Sequence, residues 1–230
     1  MYHVDDVLTR IDVHTTTVII LVLFGWIGGF MQIGEAMRLG IRQRVAGQPL
    51  GTTIVMLTHD LTFTAHYHHF VDEIGHPMFV LFWVGMLTSN VIELVLLWHW
   101  VRFQHTGLPT PAVLLIVGVY QGLAFALWWW TQSLFDDPLD FVGLTIVQVG
   151  AVVFGVPMLL GRGTSRGSSR VFVWATLLGP GSLGFLFIPY LAPAIRASWQ
   201  FWCVVAVTFT CALTFVVVYE RLRNTDQFTA

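Results

Sequence analysis

The residues of this chain that could do chemistry are few, because only 10% of its 230 positions are charged. Three acids interrupt otherwise apolar stretches: Glu35, Asp60 and Glu93. Asp60 follows His59 and precedes a polar run, Thr62-Phe63-Thr64-Ala65-His66. Sequestration from water disfavours the charged form of a carboxyl, so Asp60 reads as a proton donor. His59 or His66 could reprotonate it or accept a terminating proton. Glu93 could hold Asp60 in geometry or serve as the terminating base. A competing reading makes Asp60 a structural hydrogen bond to a neighbouring helix, and Glu93 with Asn90 a structural polar seam. Glu35, three residues before Arg38, reads as an interfacial residue paired with that guanidinium.

A second pattern lies along the same segment. His59, His66 and Glu73 recur every seven residues, and His69 and His76 fall near their stripe. On a helix they share a face over roughly 25 Å of axis. His66, His69 and Glu73, with His76, could offer nitrogen and oxygen ligands to iron, copper or zinc. No HExxH motif accompanies them, and residues 68–76 read equally well as wet polar groups at an interface.

The elements that must position these groups are set by apolar runs. The sequence is 56% hydrophobic and 14% aromatic, with a mean hydropathy of +0.73. A helix needs about 20 apolar residues to cross a ~30 Å hydrocarbon core. Seven such spans are expected, at 15–36, 50–71, 77–101, 112–133, 141–160, 171–191 and 198–219, forming one all-α transmembrane domain over residues 1–230. A charged group at bilayer depth costs roughly 3 kcal/mol on insertion scales, so Asp60 and Glu93 should face the bundle interior. The net charge of -2 offers no field for nucleic acid, and Cys203 and Cys211 lie too far apart on one helix to pair.

All eleven basic residues are arginine. In a seven-span order Arg38, Arg42, Arg44, Arg102, Arg162, Arg166, Arg170, Arg221 and Arg223 fall on one side, and Arg10 and Arg196 on the other. That asymmetry places the N-terminus outside and the C-terminus in the cytoplasm. Arginine in place of lysine points to a GC-rich bacterial genome, hence to a bacterial inner (plasma) membrane. Trp128, Trp129, Trp130, Trp199 and Trp202 read as an aromatic belt at the outer surface. Phe63, Trp83, Trp98, Trp100, Tyr120 and Phe125 lie deeper and could line a pocket, where a π face stabilises positive charge. Arg162 and Arg166, in the Gly161–Arg170 loop, could grip a phosphate or a diphosphate with Mg; positive-inside anchoring explains them equally.

Several short stretches, in order, resemble the small seven-span terpene cyclases of fungal and bacterial meroterpenoid and indole-diterpene pathways, the paxilline-type cyclases. Gly47-Gln48-Pro49-Leu50 is similar to the turn before that family's second span, and His59-Asp60 stands where the family carries Trp-Glu. Glu93 precedes Arg102-Phe103 as the third-span acid or amide does. Arg162-Gly163-Thr164-Ser165-Arg166-Gly167-Ser168 and Tyr219-Glu220-Arg221 resemble the family's inner loop and last-span signature. Two departures stand out: His-Asp replaces Trp-Glu, and Thr210 falls where the last span carries a second acid.

The resemblance implies a seven-span bundle that protonates a lipid-like isoprenoid or meroterpenoid, needs no cofactor, and uses Asp60 as the acid. Phe63, Trp83, Asn90, Tyr120, Phe125, Thr210, Arg162 and Arg166 would then contact substrate. Two other functions stay open: a membrane oxidase or hydroxylase with iron or copper, and a proton-coupled lipid binder or transporter. No inverted repeat or broken-helix pair is evident, which weighs against transport.

Overall fold

The computed structural model describes residues 2–103 and 107–229, and among them it contains helices and no strand. Helix α1, Val4–Val13, carries Asp5 and Asp6 in its first turn and Arg10 in its last, as the helix dipole favours, and buries Val7 and Ile11. Helix α2 runs Thr15–Gln43 and stops at Arg44, whose φ of 51° ends the helical path. Pro49, with φ at -61°, starts α3, Leu50–Ala65. Helices α4, Pro77–Phe103, and α5, Thr110–Leu134, follow.

Among the described residues six helical segments are long and apolar enough to cross a membrane: Thr15–Gln43, Pro77–Phe103, Thr110–Leu134, Phe141–Arg162, Arg170–Leu191 and Trp199–Asp226. They coincide with six of the seven expected spans. The seventh, expected at 50–71, is regular only through Ala65. Its 16 residues rise about 24 Å at 1.5 Å each. Beyond it a wide π turn, His68–Glu73, carries the chain to Gly75 and Pro77. The outward surfaces are themselves apolar: Leu115, Trp129 and Trp199 are each about two-thirds exposed. Such a surface suits hydrocarbon and not water.

The expectation of unbroken spans needs correcting. Residues 141–162 form two helices, α6 (Phe141–Val153) and α7 (Gly155–Arg162), that meet at Phe154. Helix α8, Arg170–Leu178, unwinds over Gly179-Pro180-Gly181-Ser182 before a short 3-10 turn and α9, Phe187–Leu191. Pro180 lacks an N–H, and its ring excludes a continued helix. The freed carbonyls are still satisfied. Gly181 N donates to Thr176 O at 2.8 Å and Ser182 Oγ to Leu177 O at 2.7 Å, as an apolar interior demands. A short α10, Pro193–Arg196, leads into α11, Trp199–Thr229.

Contacts sort the connections into two ends. At one end Tyr2 meets Asp137, Asp12 meets His76, and His69 meets Pro138. At the other, Arg166 donates to Gln43 O, and Asp226 accepts from Ser165 and Thr164. Glu35 is tied there as its spacing suggested: it pairs with Arg38 at 2.5 Å and accepts from Ser169 Oγ, which also caps α8.

Close backbone approach sets the packing of α2 on α8. A Cβ at Gly28 would lie 2.3 Å from Gly179 Cα, whereas one at Gly29 would meet nothing within 4 Å. Gly28→Ala should therefore cost about 1–3 kcal/mol through overpacking. Gly29→Ala should be neutral or gain up to about 1 kcal/mol of helix propensity. Thermal unfolding of the two variants in detergent checks this, and equal behaviour would refute the close α2–α8 contact.

Candidate functional site

Helix α3 packs most closely on α4 and α6, and this brings His59, Asp60 and Glu93 together in the interior. All three are buried, His59 and Glu93 completely. His59 Nδ1 lies 2.5 Å from Asp60 Oδ1, within hydrogen-bond distance. Its Nε2 lies 3.0 Å from Asp140 Oδ2, close enough for an ion pair although that oxygen is off the N–H direction. The ring rests edge-on to Trp128, centroids 5.4 Å apart, and beside Phe63 at 6.0 Å. Glu93 accepts a long bond from Ser89 Oγ, 3.5 Å, while its Oε2 has no hydrogen-bond partner among the described residues. Neighbouring Asn90 donates to Thr64 Oγ1 at 3.1 Å.

Asp140 reaches His59 because another acid does the capping of α6. The Asp137 carboxylate accepts from the amides of Phe141, Val142 and Gly143 at 3.0, 2.7 and 3.3 Å, the donors a helix start leaves free. Asp140 itself adopts φ 58°, a left-handed conformation that aspartate tolerates better than most residues. Its side chain turns back over α6, where Gln132 donates to Oδ1 at 2.9 Å. A Cβ at Gly143 would sit 1.9 Å from that Oδ1, so any larger residue there must displace the carboxylate. Tyr2 completes the support. Its hydroxyl donates to Asp137 Oδ1 and accepts from Leu139 N at 3.0 Å. Burial pushes both the Tyr2 phenol and the Asp137 carboxyl above their ordinary values.

Two cavities adjoin this cluster. The inner one, about 90 Å³, is bordered by Asp60, His59 and Ser89, with Trp26, Phe30, Phe82 and Phe187 forming much of its wall. Gln32 also lines it. Gln32 Nε2 donates to Ala151 O at 3.0 Å, whereas its buried Oε1 has no partner among the described residues. A cavity of about 150 Å³ takes benzene, so this one admits a smaller group or a few waters. The second, about 310 Å³, opens at the end of the bundle that holds the N-terminus. Asp140, Asp137, Gln132, His66 and His69 border it.

The expected site residues are thus only partly gathered. Asp60, His59 and Glu93 converge, with Asn90 close by. Phe63 and His66 border the second cavity and not the inner one. Trp83, half-buried, donates to Thr64 O, and Phe125 is half-buried on α5. Tyr120, 56% exposed, and Thr210 face outward, so the position of the family's last-span acid points away from the interior here. Arg162 and Arg166 donate to backbone carbonyls of Ala46 and Gln43, which pins two loops together. Trp128 departs from the expected belt: Trp129 and Trp130 are exposed, but Trp128 turns inward against His59.

The histidine stripe does not converge either. His66 Nδ1 faces Thr62 O, and His69 is held between Glu73 and Pro138 O. His76 lies between Asp12 and the amide of Met78. Among the described residues no three His, Cys, Asp or Glu side chains gather in a way that could hold a metal ion.

Sequence reading missed Asp140, because Asp136-Asp137-Pro138-Leu139-Asp140 looks like a wet loop. It also missed Gln32 and the aromatic wall of Trp26, Phe30, Phe82 and Phe187. A glutamine inside an apolar run was the one available signal for Gln32. Comparison with protein-family models, curated proteins and solved structures finds no match for this chain.

Tyr2→Phe removes a donor from Asp137 and an acceptor from Leu139 N, and should cost about 1–3 kcal/mol of stability. A carboxyl with a raised folded-state value favours the fold below its unfolded value, and that contribution is lost as pH rises through the folded one. The Tyr2 hydroxyl offsets this loss by serving the ionised form. The deficit of Tyr2→Phe should therefore be largest near neutrality and shrink on acidification. Paired thermal melts across pH check this; a pH-independent deficit would contradict it.

Proposed function

We propose that this chain is a membrane-embedded isoprenoid cyclase or isomerase that starts a carbocation reaction by proton transfer from Asp60. The observation that carries this reading is the placement of Asp60: it lies at the margin of an apolar cavity that includes the rings of Trp26, Phe30, Phe82 and Phe187, 2.5 Å from a buried imidazole. A proton shared between His59 Nδ1 and Asp60 Oδ1 is available to an alkene carbon or an epoxide oxygen presented in that cavity. Protonation leaves positive charge on the substrate. The faces of Trp26, Phe30, Phe82 and Phe187 can stabilise that charge and keep water from quenching it. Asp60, left as a carboxylate, is placed to take the terminating proton. Glu93, with an unpartnered oxygen next to Asp60, offers a second base. The free Oε1 of Gln32 suits a substrate hydroxyl.

The inner cavity accommodates only the reacting end of an isoprenoid, so the rest of the chain must lie between helices, toward lipid. The resemblance to paxilline-type cyclases supports the same substrate class. In this proposal α3 with its π turn is the seventh crossing, the arginine-rich end is cytoplasmic, and the N-terminal end is outside, in a bacterial plasma membrane. A second reading, proton-coupled lipid binding or transport, draws on the small cavity and on the unwound Gly179–Ser182 segment beside it, since broken helices recur at transport sites.

Purified protein in lipid nanodiscs should convert isoprenoid alkenes or epoxides of graded length. Asp60→Asn should lower turnover by about 10²–10⁴-fold, the usual worth of general acid catalysis, in protein that remains folded. Wild-type turnover in that variant would end the proposal. Substrate-linked proton uptake into vesicles without a new product would favour transport. For orientation, a fluorescent protein joined to the C-terminus should fluoresce, and a phosphatase that matures only outside the cytoplasm should stay inactive there. The reverse result would invert the topology.

A further inference from the structure

Each of the two cavities is bordered by one of the two carboxylates that flank a single imidazole. Asp60 and His59 border the inner cavity, Asp140 borders the second one, and His59 is within 2.5 Å of the first carboxylate and 3.0 Å of the second. Resting on the reading of Asp60 as proton donor, we propose that Asp140 and His59 are the route by which protons pass between the aqueous phase at the N-terminal end and Asp60.

The local structure is built to hold Asp140 there. A carboxylate needed only to cap α6 would be redundant, since Asp137 already accepts from three of its amides. Asp140 instead takes a left-handed backbone, a bond from Gln132 to Oδ1 and the space left by Gly143, and its Oδ2 lies 3.0 Å from His59 Nε2. The other side chains against the ring, Phe63 and Trp128, are neutral. The ionisable groups around His59 are thus Asp60 on its own helix and Asp140 from the start of α6, with Glu93 of α4 next to Asp60. In the second cavity Thr62, His66, His69, Gln132 and Asp137 offer water hydrogen-bonding groups near Asp140, beside a wall of Phe63, Phe70, Trp128 and Trp129.

The steps balance. Asp140, protonated from that water, gives its proton to His59 Nε2 as the Nδ1 proton passes to Asp60. Asp60 then protonates the substrate. When Asp60 takes the terminating proton, the two shifts reverse: Nδ1 receives a proton from Asp60, and Nε2 returns one to Asp140. The ring regains its starting tautomer, and no net proton is consumed. Asp140 acts through His59 and touches no substrate, so its role is that of a relay and positioning residue.

The test needs no substrate. On transfer of the protein in nanodiscs from light to heavy water, infrared bands that Asp60→Asn abolishes report exchange of the proton between His59 and Asp60. In Asp140→Asn these bands should persist but exchange at least tenfold more slowly. Gly143→Ala, which drives a methyl into the Asp140 carboxylate without altering any titratable group, should slow exchange likewise. Gln132→Leu should have a smaller effect in the same direction. Wild-type exchange rates in folded Asp140→Asn and Gly143→Ala would overturn the proposal, as would the absence of any exchangeable band dependent on Asp60. Slowed exchange in a protein that turns over no isoprenoid would uphold the route while removing the cyclase reading. Turnover dependent on Asp60 with exchange indifferent to Asp140 would do the opposite.

Discussion

The interaction on which the interior depends is an imidazole held between two carboxylates where water is scarce. His59 has Asp60 on one ring nitrogen and Asp140 near the other, and all three belong to a bundle that exposes many large apolar side chains on its outer surface. Isolated charges are expensive in such surroundings, and each becomes tolerable only through the others. Much of the surrounding architecture follows from keeping these three groups in register. Helix α3 must pack on α6 closely enough for His59 to meet the start of that helix, and residues 137–140 must fold so that one aspartate caps while the other reaches in.

Backbone irregularity clusters around the same region. The inner cavity is edged by Pro180 and Gly184, from the stretch where the chain between α8 and α9 unwinds, and by Gly25, Gly29 and Gly85 from α2 and α4. Small residues and a broken helix leave space that regular helices with larger side chains would fill. The result is a cavity with few polar groups, Asp60, His59, Ser89, Gln32 and Gln148, set in an aromatic and aliphatic wall. That contrast is what the proposed chemistry requires: one place to hold a proton and little to quench a cation.

Much of the helical framework was legible in the sequence, because apolar length and the charges that bound it are strong, local signals. The burial of His59, Asp60 and Glu93 followed from the cost of leaving them in lipid. What stayed hidden has a common cause. In a helix that is apolar all round, core and lipid faces carry the same residue types, and the periodicity that marks an inward face disappears. Tyr120 and Phe125 therefore looked as suited to a pocket as Phe82 and Phe187, and nothing told Trp128 from its two neighbours. Asp140 was hidden differently. Its inward turn depends on Tyr2, Asp137 and Gly143, and on a left-handed backbone angle, none of which a spacing rule captures. The break at Gly179–Ser182 was absorbed into a continuous apolar run, although a proline between glycines was the signal for it.

In the proposed topology, where α3 is the seventh crossing, its short regular length has a consequence for the surrounding bilayer. Its sixteen residues fall about 6 Å short of a typical hydrocarbon thickness, and the turn that follows carries His68, His69, Asp72 and Glu73. Lipid headgroups must dip toward that turn, or acyl chains must compress, at a cost of fractions of a kcal/mol per ångström. Acyl-chain length thus becomes a variable acting on this protein, with thinner membranes bringing the aqueous boundary nearer to the His59–Asp60 pair.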